Sequence, residues 1–255
     1  SQGVPISVPL SEEEEYSLTY QRLKEHITPR SKMIVINNPN NPTGRVYSTD
    51  ELADLALLAE EHDLLVLCDE TYEYFLYDDK SHITFATLPG MWERTLTSYT
   101  FTKSYSMSGW RLGCIVASGD LLDPLLKVHE HTSSFVAPFI QMAGVEALTG
   151  TLVHLDVWHK DCDVLRQEVV NILNQTDRMY CPLPEGATFV FPRVSSQYSS
   201  VELATLLVEE EGVVVTPGSG FGECGESHFR IALMRSPADR VETAAKKISD
   251  FIGNL

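Results

Sequence analysis

The chain has 255 residues, of which 43% are hydrophobic and 22% are charged, and its formal net charge is −17 at pH 7. This composition is typical of a globular protein with one large or two modest domains, and the acidic balance argues against nucleic-acid binding and a basic membrane-surface role. No apolar run approaches the roughly 20 residues of a membrane-spanning helix, and the cysteines show no CxxC pair. We expect a cytoplasmic protein without a metal site and without nucleic-acid or membrane partners.

The first half of the chain alternates strand patterns with a helical pattern. KMIVIN (32–37), LLVLCDE (64–70), RTLTSYTF (94–101) and GCIVAS (113–118) are predicted to be strands. Between the first two, residues 48–63 carry a capping box of Ser48 and Glu51 followed by an apolar stripe, which predicts a helix. Strands that alternate with helices indicate an α/β layer with a mostly parallel sheet.

The second half of the chain has a different pattern. Residues 157–176 predict a long helix, and ATFVFPRV, GVVVTPG and HFRIALM predict short strands separated by Pro and Gly. A closing helix is predicted to begin at Ser236 and Pro237 and to bury Val241, Ala245, Ile248 and Ile252. We therefore predict a large α/β domain over residues 1–156 and a smaller α+β domain over residues 157–255.

Polar side chains follow the ends of three successive predicted strands. Asn41 lies in the turn after the first strand, Asp69 and Tyr72 lie at the end of the second, and Lys103 follows the third. If the sheet is parallel, these positions open onto the same edge, where ligands bind to α/β sheets. Singly, such an aspartate is often a helix cap and such a lysine is usually solvated. Their convergence is what indicates a site.

The residues around Lys103 match the needs of a phosphorylated aldehyde. A lysine forms an imine with an aldehyde once its amine is deprotonated, and both the nearby Arg111 and partial desolvation would lower its pKa. Thr100, Thr102 and Arg111 can hold a phosphate through two hydroxyl groups and a guanidinium fork.

The other polar residues match a pyridine ring. Asp69 can pair with a protonated ring nitrogen, and Asn41 and Tyr72 can donate hydrogen bonds to a phenolate oxygen. Pyridoxal phosphate carries all of these groups: an aldehyde, a phosphate, a pyridine nitrogen and a ring oxygen.

The motifs NPNNPTG, DETYE, TFTKSYSMSGWRLG and FRIAL together resemble the class I and II aminotransferase family, fold type I of the pyridoxal-phosphate enzymes. The resemblance covers essentially the whole chain. The family usually has serine at one or both hydroxyl positions, where threonine keeps the donor and adds bulk. Carried over residue by residue, the resemblance makes Lys103 the Schiff-base lysine and proton shuttle. It makes Asp69 the partner of the ring nitrogen, and Asn41 and Tyr72 the partners of the ring oxygen. The phosphate ligands would be Thr100, Thr102 and Arg111, and the contacts to the substrate would be Asn41 and Arg230.

The resemblance implies a transaminase that moves an amino group between an α-amino acid and a 2-oxo acid, and it implies a homodimer. Two alternatives stay open: a carbon–sulfur lyase or related eliminating enzyme that uses the same cofactor and residues, and a non-enzymatic interaction or regulatory domain on the same fold. The sequence does not specify which amino acid is the substrate.

Family members are longer than this chain, with the lysine past the midpoint. We therefore expect a C-terminal portion of an aminotransferase, in which residues 1–156 are the remainder of the large cofactor-binding domain. Such a fragment would lack a phosphate-binding turn and part of the sheet. It is expected to bind the cofactor weakly or not at all.

Overall fold

The computed structural model describes residues 3–234 and 237–255. Its strands are β1 Met33–Asn37, β2 Leu65–Asp69, β3 Thr95–Thr100, β4 Gly113–Val116, β5 Met179–Tyr180, β6 Phe189–Val190, β7 Arg193–Val194, β8 Thr216–Pro217 and β9 Phe229–Ala232. Its α-helices are α1 Tyr20–Lys24, α2 Thr49–Glu61, α3 Phe101–Ser104, α4 Gly119–Thr132, α5 Pro138–Thr149, α6 Val153–Leu173, α7 Ser200–Glu211 and α8 Ala238–Gly253.

The first half of the chain forms a sheet in the order β1-β2-β3-β4. β1 pairs with β2 and β2 with β3 in parallel, whereas β4 runs antiparallel to β3. Asp69 pairs with Asn37 on one side and with Ser98 on the other, so the first three strands end side by side. The predicted α/β fold with a mostly parallel sheet is confirmed.

Helix α2 covers one face of this sheet. The predicted capping box is present, because the Ser48 side chain accepts from the Glu51 N–H and the Glu51 carboxylate accepts from the Ser48 N–H. Leu52, Leu55 and Leu58 of α2 are buried in one apolar cluster with alternate residues of β2, Val66 and Cys68. On β1, by contrast, Val35 is 65% exposed. Only one face of β1 is therefore packed against the core.

The second half of the chain has its own apolar core. Helices α6 and α8 pack on a sheet of order β6-β9-β8, and a separate pair is formed by β5 and β7. The predicted stripe of α8 is buried: Val241, Ala245, Ile248 and Ile252. Ser236, predicted to begin this helix, lies outside the described residues.

Some elements differ from the sequence-based prediction. ATFVFPRV forms β6 and β7 rather than one strand, because Pro192 between them has no N–H to continue a ladder. In GVVVTPG only Thr216 and Pro217 pair, and α4 and α5 were not predicted. Helix α6 begins at Val153 and runs across the predicted domain boundary, which stays a prediction.

The structure also bears on the membrane question. Among residues 3–234 and 237–255, no helix has both the length and the apolar character needed to cross a bilayer.

Candidate functional site

The turn after β1 is held by two asparagines. Asn37 Nδ2 donates to the Asp69 carbonyl at 3.0 Å, and Asn37 Oδ1 accepts from the Asn41 N–H at 2.5 Å. Arg230 Nη1 donates to Asn41 Oδ1 at 2.7 Å. The arginine of β9 therefore reaches the turn of the large sheet and links the two halves of the chain.

Asp69 ends the strand at the middle of the predicted site. Its Oδ1 accepts a hydrogen bond from the Thr71 N–H at 3.1 Å and another from the Thr71 hydroxyl. The parallel pairing with Ser98 places it beside the end of β3, which leads directly into the turn that carries Lys103. Asn41, Asp69 and Lys103 thus follow the carboxyl ends of neighbouring parallel strands, as the sequence indicates.

Lys103 opens into a cavity of about 390 Å³. Its Nζ lies 5.7 Å from the centroid of the Tyr72 ring, and Tyr72 packs edge-to-face on Phe189 with ring centroids 5.2 Å apart. Arg230 lines the same cavity. Lys103, Tyr72 and Arg230 therefore line the same cavity.

The hydroxyl groups of Thr100 and Thr102 lie close together at the start of α3. Thr100 Oγ1 accepts from the Thr102 N–H at 3.2 Å, and the two hydroxyl oxygens are 3.0 Å apart. They line a second cavity of about 550 Å³ together with Arg111, whose Nη1 donates to the Ser108 carbonyl at 2.9 Å. Because Thr102 lines both cavities, this group of donors borders the space of Lys103.

The guanidinium group of Arg230 lies close to two aromatic rings. Its central carbon is 5.2 Å from the centroid of Phe189 and 5.0 Å from that of Phe221, and Nη2 lies 3.4 Å from Thr216 Oγ1. These cation–π contacts, together with the hydrogen bond to Asn41, restrict where the guanidinium group can lie, and a positioned guanidinium fork can bind a carboxylate through two hydrogen bonds.

The structure thus brings most of the predicted residues together in two adjoining cavities. Tyr72, Lys103 and Arg230 line the first, and Thr100 and Arg111 line the second with Thr102 common to both. The described residues that line these cavities do not include Asn41 or Asp69. Asn41 is joined to the site through its bond to Arg230, and the individual roles of all these residues stay predictions.

Two features of the site were not predicted from the sequence. Trp158 of α6 lines the Lys103 cavity, and the buried Glu70 is surrounded by His82 and Tyr99. Trp158 gives no local signal, because an aromatic residue on an amphipathic helix is usually a core residue. Glu70 stands in the DETYE motif next to Asp69, and that position was the available signal.

Glu73 is a partly buried carboxyl group that follows Tyr72. Burial raises the pKa of Glu73 to about 7 from its ordinary value of 4.5, and the charge of Glu70 adds to this shift. The folded protein therefore holds this proton more tightly than the unfolded chain does. Its contribution to stability is full below pH 4.5 and is lost as the pH rises through the folded pKa of about 7.

We expect Glu73→Gln to remove this part of the pH dependence. At pH 8 the variant should be more stable than the original protein by about 2 kcal/mol. This is less than the full value that the pKa shift implies, because the carboxyl group is only partly buried. At pH 4 the two proteins should be nearly equal in stability. Urea unfolding between pH 4 and pH 8 measures the difference. Glu60→Gln, at an exposed position of α2, is the matched control. Parallel stability curves for the original protein and Glu73→Gln would contradict the prediction.

Comparison with known proteins adds to this geometry. A family model described as aminotransferase class I and II matches residues 1–248. The chain is 36% identical to the aromatic-amino-acid aminotransferase 2 of Thermococcus litoralis and 38% identical to an aspartate aminotransferase of Pyrococcus abyssi, in each case over 96% of this chain. It spans 65% of the length of both curated relatives.

A solved structure is similar over nearly the whole chain. The aromatic aminotransferase from Pyrococcus horikoshii superposes with a TM-score of 0.94 at 34% sequence identity, over 98% of this chain and 67% of that one.

Proposed function

Because this chain belongs to the class I and II aminotransferase family, we propose that the protein is a transaminase that moves an amino group between an α-amino acid and a 2-oxo acid. Enzymes of this family depend on pyridoxal phosphate. The observation that carries the proposal is the shared cavity of Lys103 and Arg230, which adjoins the cavity of Thr100 and Arg111 through Thr102. Transamination with pyridoxal phosphate needs an amine, a group that binds the substrate carboxylate and donors for the cofactor phosphate, and these cavities offer all three.

The residues present fit pyridoxal phosphate. Two hydroxyl oxygens 3.0 Å apart and a guanidinium group in the same cavity suit a phosphate. Asp69 would hold the ring nitrogen, and Asn41 and Tyr72 would hold the ring oxygen. When bound, the cofactor supplies an aldehyde for covalent attachment and a ring that accepts electrons.

The chain's own residues would carry the proton and orient the substrate. Arg230, which contacts the rings of Phe189 and Phe221, would bind the α-carboxylate through two parallel hydrogen bonds. This would place the substrate Cα near the amine of Lys103 in the same cavity. Lys103 would take the proton from Cα as a general base and return a proton as a general acid.

Covalent labelling tests this proposal. The complete protein is incubated with pyridoxal phosphate, reduced with borohydride and mapped by peptide mass spectrometry, and we expect a single modified residue, Lys103. Modification spread over exposed lysines would contradict the assignment. Amino-group transfer is then measured with aspartate and aromatic donors against 2-oxoglutarate. Release of pyruvate and ammonia from cysteine conjugates without an oxo-acid acceptor would instead identify a lyase.

We also propose that the complete protein is a cytoplasmic homodimer. Helices α4 and α5 expose large apolar side chains, with Phe139 71% exposed, and such surfaces are usually covered in an assembly. All five cysteines are free, which suits a reducing compartment. Sedimentation of the complete protein measures its mass and tests the assembly.

A further inference from the structure

The carboxylate of Glu70 is completely buried next to the proposed site, although no proposed step uses it. Tyr99 OH donates to Glu70 Oε2 at 2.7 Å, and His82 Nε2 lies 2.9 Å from the same oxygen. The Phe85 N–H donates to Glu70 Oε1 at 3.0 Å. A buried carboxylate is costly unless it is well paired, so an arrangement this complete constrains all of its partners.

These contacts keep the Glu70 carboxyl group ionised and the Tyr99 phenol protonated. Burial alone would raise the pKa of the Glu70 carboxyl, but the contacts with His82 and Tyr99 lower it below its ordinary value. Burial, together with the bond to Glu70, raises the pKa of the Tyr99 phenol. Near neutral pH the carboxylate is therefore a charged acceptor and the phenol is a protonated donor, which makes a strong hydrogen bond.

The bond spans the two strands that carry the site. Asp69 pairs with Ser98. Tyr99 is the next residue of β3, and Glu70 directly follows the end of β2. The Glu70 N–H also donates to the Ser98 carbonyl at 3.1 Å. Backbone and side chain thus tie the ends of β2 and β3 together.

The turn that carries Lys103 needs such support. Helix α3 is only four residues long, and an isolated turn of helix is unstable by itself. Its position must be set by the residues at its ends. At its start, Tyr99 stands immediately before the capping residue Thr100. At its end, His154 Nε2 lies 2.8 Å from the Ser104 carbonyl.

We propose that Glu70, through its hydrogen bond to Tyr99, is a positioning residue that fixes the Lys103 turn relative to Asp69. This inference rests on the proposed role of Lys103. The carboxylate contacts Tyr99, His82 and the Phe85 N–H. It acts by holding the strand end from which the turn begins, so its loss should loosen that turn before it loosens the rest of the protein.

Amide hydrogen exchange tests the inference without the cofactor. Tyr99→Phe removes the hydrogen-bond donor and keeps the ring. We expect the exchange rate to rise by about tenfold to a hundredfold at the hydrogen-bonded amides of the turn, which are those of Phe101, Thr102, Tyr105 and Met107. This rise corresponds to the roughly 1.5–3 kcal/mol of a hydrogen bond to a charged group. Amides in the middle of α6 should change much less. Glu70→Gln, which keeps an acceptor but removes the charge, should show a smaller rise at the same positions.

The control is Tyr77→Phe, which removes another buried phenol whose OH donates to the Ala187 carbonyl at 2.7 Å. It should not raise exchange selectively in the Lys103 turn. If Tyr99→Phe and Glu70→Gln raise exchange equally across the turn and α6, or not at all, the positioning role is wrong and the cluster only stabilises the fold.

Borohydride labelling separates this inference from the proposed function. If Lys103 is labelled in the original protein, its labelling should fall several-fold in Tyr99→Phe at equal cofactor concentration and stay unchanged in Tyr77→Phe. Unchanged labelling in Tyr99→Phe would overturn the inference. If Lys103 is not labelled in the complete protein, the proposed function of Lys103 fails, and the exchange contrast still decides whether Glu70 positions the turn.

Discussion

Lys103→Ala is expected to abolish labelling of the Lys103 peptide by pyridoxal phosphate and borohydride. In the complete protein it should also lower the rate of transamination by at least about 10²–10⁴-fold, the range that a positioned proton-transfer group supplies. The reason is that one amine would serve both as the covalent attachment and as the base at the substrate Cα. Its cavity position near Tyr72 and Arg230 is the structural basis of this expectation.

Single-turnover measurements and peptide mapping check this result. Lys246→Ala, at an exposed position of α8, is the matched control and should leave both labelling and rate unchanged. Lys103→Arg keeps the positive charge but cannot be deprotonated, so it should be as inactive as the alanine variant. A Lys103→Arg variant with substantial activity would rule out the proton-transfer role.

Arg230→Gln is expected to lower kcat/KM for the amino donor roughly 10²–10⁴-fold, because two hydrogen bonds between charged groups, each of about 1.5–3 kcal/mol, would be lost. The effect should come mainly as a rise in KM if carboxylate binding is equally strong in the ground and transition states. The variant also removes the bond to Asn41 Oδ1, so the turn after β1 loses its partner from β9.

Three measurements separate substrate binding from a general loss of structure. Labelling of Lys103 should persist in Arg230→Gln, because Arg230 has no proposed part in cofactor attachment. Arg230→Lys should be intermediate, since it keeps the charge but loses the planar fork. Arg178→Gln, at an exposed position, should behave like the original protein. An unchanged KM together with full activity in Arg230→Gln would contradict the carboxylate role.

Local patterns in the sequence were sufficient to predict the helices whose start or buried face depends on residues close together in the chain. The capping box of Ser48 and Glu51 starts α2 where the sequence predicts it, because both partners lie within one turn of each other. The stripe from Val241 to Ile252 faces the core because its spacing matches the helical repeat. Helices α4 and α5 were not predicted: Pro124 interrupts the helical pattern of α4, and the apolar residues of α5 are spread around the helix without one clear stripe.

The sequence by itself determined that an amide, an acid and an amine follow successive strands, since strand order and the parallel rule place them at one edge. Only the tertiary structure decided which distant side chains form hydrogen bonds at this edge of the sheet. Arg230 reaches Asn41 across 189 positions of the chain, and Tyr99 reaches Glu70 across 29. Such contacts depend on how strands and domains pack, and no periodicity along the chain encodes them.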